Sequence, residues 1–256
     1  MNFLNLIKSL LNFQKKIETK ILPSQGLFYK NDFEIIIKKA DVADIIEYEL
    51  DYIKDDIDII IKKVKKIVQK NIILTHGYKF DDLKSIDIIF VFLEIVKFTK
   101  GESIKVNYFD EDRGKEDIIE FSNTYFNYFK VDENIKKHYD SENKCFTIDG
   151  FKYSLPAIGV ETSLTNFLLF KSNHPDAHLY KDYFYDFTYF LSDKNELSFN
   201  EIENLIQVFN HDLDKNDIKK VKKIVSIFSS IQKYSLIKNG KVIDINSKID
   251  LEKIWK

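Results

Sequence analysis

Leu22-Pro23-Ser24-Gln25-Gly26-Leu27-Phe28-Tyr29, followed closely by Phe33-Glu34-Ile35-Ile36-Ile37-Lys38-Lys39, is the stretch on which the fold turns. Pro23 fixes its own φ and Gly26 accepts left-handed backbone, so the two bracket a tight bend. Phe28 and Tyr29 then provide an aromatic foot that packs before the chain enters a strand at about Phe33. The stretch holds no nucleophile–base pair, no metal-ligand spacing and no phosphate loop. Its local reading is structural.

Outward from the bend, residues 3–18 place Phe3, Leu6, Ile7, Leu10, Leu11 and Ile17 at helical spacing, which predicts an amphipathic N-terminal helix. Residues 41–70 predict one long or two abutting helices, opened by Asp41 as N-cap and running from acidic to basic in the sense that suits the helix dipole. The lysines of this region alternate with isoleucine and valine, as on a solvated helix face. Residues 83–99 predict a strongly apolar, buried helix. Residues 103–109 and 116–122 read as paired strands across a polar, Gly-containing turn. Asp149-Gly150 marks a hairpin between two short strands, and Asn239-Gly240 marks a second. Helices are expected over 162–171, 178–192, from Ser198 through Phe209, and from about Asp214 to Tyr234; Ser198-Phe199-Asn200-Glu201 is a capping box. Trp255 is expected to fold back as an apolar anchor for the C-terminal lobe. The fold class is α+β: amphipathic helices around small antiparallel hairpins, with an N-terminal helix over 1–20, an α/β lobe over 21–125 and a mainly helical lobe over 126–256.

With 256 residues, 44% hydrophobic and 31% charged, the chain is able to bury a substantial core. A net charge of −2 gives no global attraction to nucleic acid or anionic membrane. Arg113 is the only arginine, which argues against sequence-specific DNA readout, since Arg supplies most bidentate base contacts. A single cysteine, Cys145, excludes an intramolecular disulfide and a Cys-based zinc site, and suits a reducing compartment. No apolar run reaches bilayer length, and the first residues lack the basic region and cleavage site of a signal peptide.

Candidates for chemistry are few. His174-Pro175-Asp176-Ala177-His178 puts two imidazoles four residues apart, the best metal candidate, but Pro175 suits a helix start and no HExxH glutamate follows. Asp212 to Asp217 has alternate carboxylates without the glycine and terminal glutamate of a calcium loop, so helix capping accounts for it. Cys145 reads as a small core residue in a strand. No catalytic, cofactor or metal residues are assigned. The aromatic stretch 180–190 spreads over more than one helical face, so Tyr183 and Phe187, with Phe3, Leu6 and Leu10 of the N-terminal helix, are the candidate interface residues.

The order LPS-x-G-x-x-Y, short loop, strand ending in basic residues, then charged helix resembles the N-terminal region of the T4-like contractile-tail bacteriophage baseplate hub and tail-assembly proteins. Leu22, Pro23, Ser24, Gly26 and Tyr29 carry that motif. Asp87-Ile88-Ile89-Phe90-Val91-Phe92-Leu93-Glu94-Ile95-Val96-Lys97-Phe98-Thr99-Lys100-Gly101 matches the family's apolar helix built around an Asp, with Lys97 where an Arg is usual; the strand Ser103 to Tyr108 follows it. The resemblance covers roughly residues 20–125, with a fainter echo in the last sixty. Relatives often carry a Cys pair after that strand, resembling a metal knuckle, which this chain lacks. The resemblance implies a non-enzymatic structural or assembly protein of the tail baseplate. It would contact hub, tube, spike or tape-measure proteins within an oligomeric assembly, without cofactor, nucleic acid or membrane, in the virion tail and, during assembly, the host cytoplasm. The alternatives are a metal-binding enzyme using the His174/His178 region and a cytosolic protein-binding module unrelated to phage.

Overall fold

The computed structural model describes residues 14–50, 57–121, 126–172, 186, 188–189, 196–209, 213–230, 235–238, 241–244, 249–250 and 254–255. These form an α+β fold with seven α-helices and small antiparallel sheets of two or three strands.

Strand β1 (Gln14–Ile17) pairs with β2 (Ile35–Lys38), which pairs in turn with β3 (Ile72–Leu74), all antiparallel. The helix expected over 3–18 is therefore corrected in its last part: residues 14–17 are a strand, and a 3-10 turn follows at Thr19–Ile21. The helical pattern there rested on one apolar residue, Ile17, and cross-strand pairing of Ile17 with Ile35 buries it just as well. Residues 1–13, with Phe3, Leu6 and Leu10, lie outside the described residues.

Helix α1 (Val42–Leu50) starts where Asp41 Oδ1 accepts the Asp44 backbone N–H at 2.8 Å. It lies beside α2 (Ile57–Asn71), where acid meets base across the pair: Lys70 binds Asp44 at 2.9 Å and Glu47 at 3.0 Å, and Lys66 also binds Glu47. These bonds hold the Lys70 ammonium above its ordinary range. Helix α3 (Ile88–Lys100) buries every residue from Ile88 to Val96. Over this run α3 has no solvent face and passes through the core, its one buried charge, Glu94, paired with Lys15 at 2.6 Å. Gly101, at φ 73°, ends it with a left-handed cap.

The hairpin of β4 (Lys105–Asp110) and β5 (Lys115–Glu120) follows, as expected. After the short α4 (Glu133–Lys136) come β6 (Tyr139–Asp140), β7 (Cys145–Ile148) and β8 (Phe151–Tyr153) in one sheet. Asp149 and Gly150 join β7 to β8 with φ of 51° and 81°, the two positive values a type I′ turn needs. Cys145 is buried in β7. Helices α5 (Ile158–Lys171), α6 (Phe199–Gln207) and α7 (Lys215–Ser229) complete this part. The Ser198/Glu201 capping box opens α6, and Asp214 caps α7 through the N–H groups of Asn216 and Asp217. Strands β9 (Ser235–Lys238) and β10 (Lys241–Asp244) pair through Lys238 and Lys241, and β11 (Ile249–Asp250) adds to β4.

Two hydrophobic clusters result, and their membership interleaves along the chain. The first surrounds α3 and includes Leu22, Tyr29, Phe92 and Phe126, together with Leu236, Ile243 and Ile254 from the C-terminal end. The second includes Phe28, Ile86, Phe129, Phe146, Phe167 and Phe228. Trp255 packs against Tyr48 and Phe92 at ring distances of 6.4 and 6.2 Å. It thus anchors the chain end to the first cluster, not to the C-terminal lobe, because β11 carries the tail back onto β4.

Candidate functional site

The bend at 22–29 is closed by its own backbone: Gln25 N–H donates to Leu22 O at 2.7 Å and Tyr29 N–H to Gly26 O at 3.3 Å. Gln25 and Gly26 have φ of 55° and 71°. A Cβ on Gly26 would stand 3.0 Å from Thr19 Cβ and Oγ1, so glycine is required there by space as well as by backbone angle.

The bend sends two consecutive side chains into different cores. Phe28 meets Phe129 at 5.3 Å and Phe146 at 6.0 Å in the second cluster. Tyr29 stacks on Phe33 at 4.6 Å in the first. Chain crossings recur around it, with Ile86 in the second cluster and Ile88 in the first, and Ala157 and Ile158 divided likewise. The bend is a rivet between the two cores. Further bonds fasten it: Phe129 N–H donates to Pro23 O at 2.8 Å, Gln25 Nε2 to Phe129 O at 2.6 Å, and the Tyr139 hydroxyl to Leu27 O.

Asp87 lies under this rivet, fully buried at the head of α3. Its Oδ1 accepts the Ser24 backbone N–H at 2.8 Å and its Oδ2 accepts the Tyr29 hydroxyl at 2.7 Å. The Tyr29 oxygen in turn accepts the Lys84 backbone N–H at 2.8 Å. Burial pushes the Asp87 carboxyl up to about 6, opposed by the Ser24 and Tyr29 donors. Burial, with the nearby Asp87 charge, raises the Tyr29 phenol well above its usual value, so it remains a donor. Burial also pulls the Lys84 ammonium down to about 8, while Asp87 and Asp82 favour its charge; its Nζ lies 5.9 Å over the Phe28 ring. The adjoining strap bonds to the third crossing segment: Ser85 N–H donates to Pro156 O at 3.0 Å, Ile158 N–H to Leu83 O at 2.9 Å, and Ser85 Oγ to Glu161 Oε2 at 2.6 Å.

The structure thus brings Leu22, Pro23, Ser24, Gly26 and Tyr29 together with Asp87 and Lys84. Asp87 is enclosed and each of its oxygens accepts a hydrogen bond, so the cluster locks three chain segments together. Sequence reasoning put Asp87 inside a helix expected over 83–99, whereas the α-helix starts at Ile88 after a 3-10 turn, and it missed Asp87 as the bend's partner. The available signal was an acid at the head of a long apolar run, a position that needs a buried donor.

Tyr183, Phe187, His174 and His178 lie outside the described residues. Tyr189, from the same aromatic stretch, is buried and its carbonyl accepts the Ser154 N–H at 2.9 Å. Exposed apolar side chains gather where α5 ends against α6: Leu169 is 66% exposed, Phe170 57%, and Phe170 contacts Phe199 at 5.2 Å between ring centres. Val42 and Ile46 form a second exposed apolar pair, one turn apart on α1. Among the described residues, no three His, Cys, Asp or Glu side chains converge to hold a metal ion, and no helix is long and apolar enough to cross a membrane. No family model, no curated protein and no solved structure matches this chain.

Proposed function

We propose that this chain is a structural or assembly component of a phage contractile-tail baseplate hub, working through protein–protein contacts and without catalysis. The observation that supports this reading is that the two stretches carrying the resemblance, 58 residues apart at Tyr29 and Asp87, are bonded to each other in a buried cluster. The partners are other baseplate or tail proteins, and the protein acts within an oligomeric assembly in the virion tail after assembly in the host cytoplasm. Its contact surfaces are residues 2–13, the 180–190 region and the exposed apolar face at Leu169, Phe170 and Phe199.

The test deletes residues 2–13 and leaves β1 intact, because Ile17 is buried and a deletion through residue 18 would remove a core strand. With folding checked by circular dichroism, the deletion and a Tyr183→Ala/Phe187→Ala variant are each expected to stop tail assembly, as seen by electron microscopy. Each then loses an interface of at least about 1,000 Å², the usual scale of a specific contact. Normal infectious particles from both would refute the reading.

A further inference from the structure

Strand β5 is the edge of its sheet: the order is β11–β4–β5, and among the described residues no strand pairs with its other side. Val106, Tyr108 and Ile119 point into the core, so the opposite face of the hairpin is the outer one. On that outer face Phe109 is 45% exposed and Ile118 51%. They are diagonal neighbours, because Phe109 lies across from Glu116 and Ile118 across from Asn107. Glu116 and Glu120 flank Ile118 on the same face, and both are exposed. Lys105 stands across from Glu120, and Lys115 across from Asp110 on the other face; neither forms an ion pair with Glu116 or Glu120. The free edge is closed at its middle. Ile118 N–H donates to Asp117 Oδ1 at 2.8 Å, and Ile118 O accepts from Lys238 Nζ at 2.8 Å. Backbone groups alternate in direction along a strand, so with Ile118 facing outward the N–H and C=O of Glu116 and Glu120 face outward too.

From this geometry we infer that β5 takes up an extended segment of a partner protein as a further strand, with an apolar residue opposite Ile118 and basic residues opposite Glu116 and Glu120. Main-chain bonds along the edge supply affinity, and the alternate side chains supply specificity. Glu116, which has Phe109 and no basic residue across from it, is the stronger of the two anchors. Lys238 is the latch. A lysine on an edge strand's backbone blocks chance pairing, and this one opens at small cost: without Ile118 O it keeps Asp117 Oδ2 at 3.0 Å and the Tyr108 ring at 4.8 Å. A second copy of this chain fits less well. In the full antiparallel register it sets Glu116 against Glu120 across the two-fold axis, and like charges directly opposite are destabilising. The inference rests on the reading of the chain as a protein that works through contacts, and it names the chemistry of one partner.

The test is fluorescence anisotropy with the full chain and a fluorescein-labelled synthetic peptide, Thr-Lys-Thr-Ile-Thr-Lys-Thr. Its controls are Thr-Glu-Thr-Ile-Thr-Glu-Thr and the lysine peptide with its isoleucine nitrogen methylated, which removes the donor meant for Ile118 O. The lysine peptide is expected to bind, and the glutamate peptide at least about tenfold more weakly, the scale of one lost ionic contact. The methylated peptide should not bind. Glu116→Lys/Glu120→Lys should reverse the preference between the two charge patterns, and Lys238→Met, which frees Ile118 O, should tighten binding. Lys152→Glu, on β8, should leave it unchanged. Amide exchange at Glu116 and Glu120 should slow when the lysine peptide is present. No binding of the lysine peptide, equal binding of both charge patterns, indifference to methylation, or a Glu116→Lys/Glu120→Lys variant that behaves as the native chain would overturn the inference. So would a dimer of the chain alone that Ile118→Lys dissociates, which would give the edge to a second copy. No tail protein enters the titration, so it can fail while the assembly test succeeds, and the reverse.

Discussion

Replacing Tyr29 by Phe removes one oxygen and tests the rivet directly. The ring keeps its stack on Phe33 at 4.6 Å, so packing barely changes. Two hydrogen bonds disappear: the one donated to Asp87 Oδ2 at 2.7 Å and the one accepted from the Lys84 N–H at 2.8 Å. Leaving the buried N–H without a partner costs about 1–3 kcal/mol, and losing a bond to a charged acceptor about 1.5–3 kcal/mol. The two losses share a residue and do not simply add, and the variant no longer buries a hydroxyl; the expected net destabilisation is about 3 kcal/mol. For a chain of this length that lowers the melting temperature by roughly 10 °C. Urea unfolding followed by far-UV circular dichroism should show a lower midpoint at unchanged slope, meaning less stability with the same surface exposed. A cycle with Asp87→Asn should return a coupling of at least about 1 kcal/mol. A Tyr29→Phe loss below about 1 kcal/mol would refute the argument that this cluster holds the cores together.

Three further outcomes follow from the same geometry. Asp87 holds its proton more tightly folded than unfolded, at about 6 against 3.8, so its contribution is full below 3.8 and is lost as pH rises through about 6; Lys84, lowered from 10.5 to about 8, contributes fully above 10.5 and loses that as pH falls through about 8. The pair contributes least between those limits, and the stability of the native chain relative to Asp87→Asn should fall by about 2 kcal/mol from about pH 4 to pH 6, measured by urea titration; a flat difference would contradict a buried titrating Asp87. Gly26→Val should cost at least about 2 kcal/mol in thermal unfolding, from positive φ and the Thr19 contact together. Gly77→Ala, at φ 76° with no atom within 4 Å of a new Cβ, should cost less, and equal losses would dismiss the contact. Trp255→Ala should lower stability by about 2 kcal/mol through the lost contacts with Tyr48 and Phe92; an unchanged melting temperature would show the chain end to be dispensable.

What was legible in the sequence was local. Asp149-Gly150 encodes its turn in two residues whose backbone angles no distant contact has to impose, and Ser198 with Glu201, or Asp214 with its following N–H groups, encode helix starts within one turn. The α+β class followed because these signals are numerous and strong. What was not legible depends on partners far along the chain. Gln14 to Ile17 carries a pattern compatible with either helix or strand, and only pairing with Ile35 and Ile37 decides it. Likewise the bend at Pro23 and Gly26 was read correctly as a bend, while its partners Asp87, Phe129 and Tyr139 stand 58 to 112 residues away by their bonded pairs.

The rivet also explains why so many residues of this bend are constrained at once. Leu22 and Tyr29 belong to one core and Phe28 to the other, so the bend between them has to reverse within a few residues, which requires the left-handed pair at Gln25 and Gly26. A reversal that tight leaves backbone groups unpaired in a buried place; Asp87 supplies the acceptor for Ser24 N–H, and Phe129 supplies the donor for Pro23 O. Any chain that keeps the bend must keep an acceptor where Asp87 stands, or else lose the tyrosine hydroxyl and the tight turn together. A motif of this kind carries information about architecture. Leu169 and Phe170, by contrast, stand exposed on the surface.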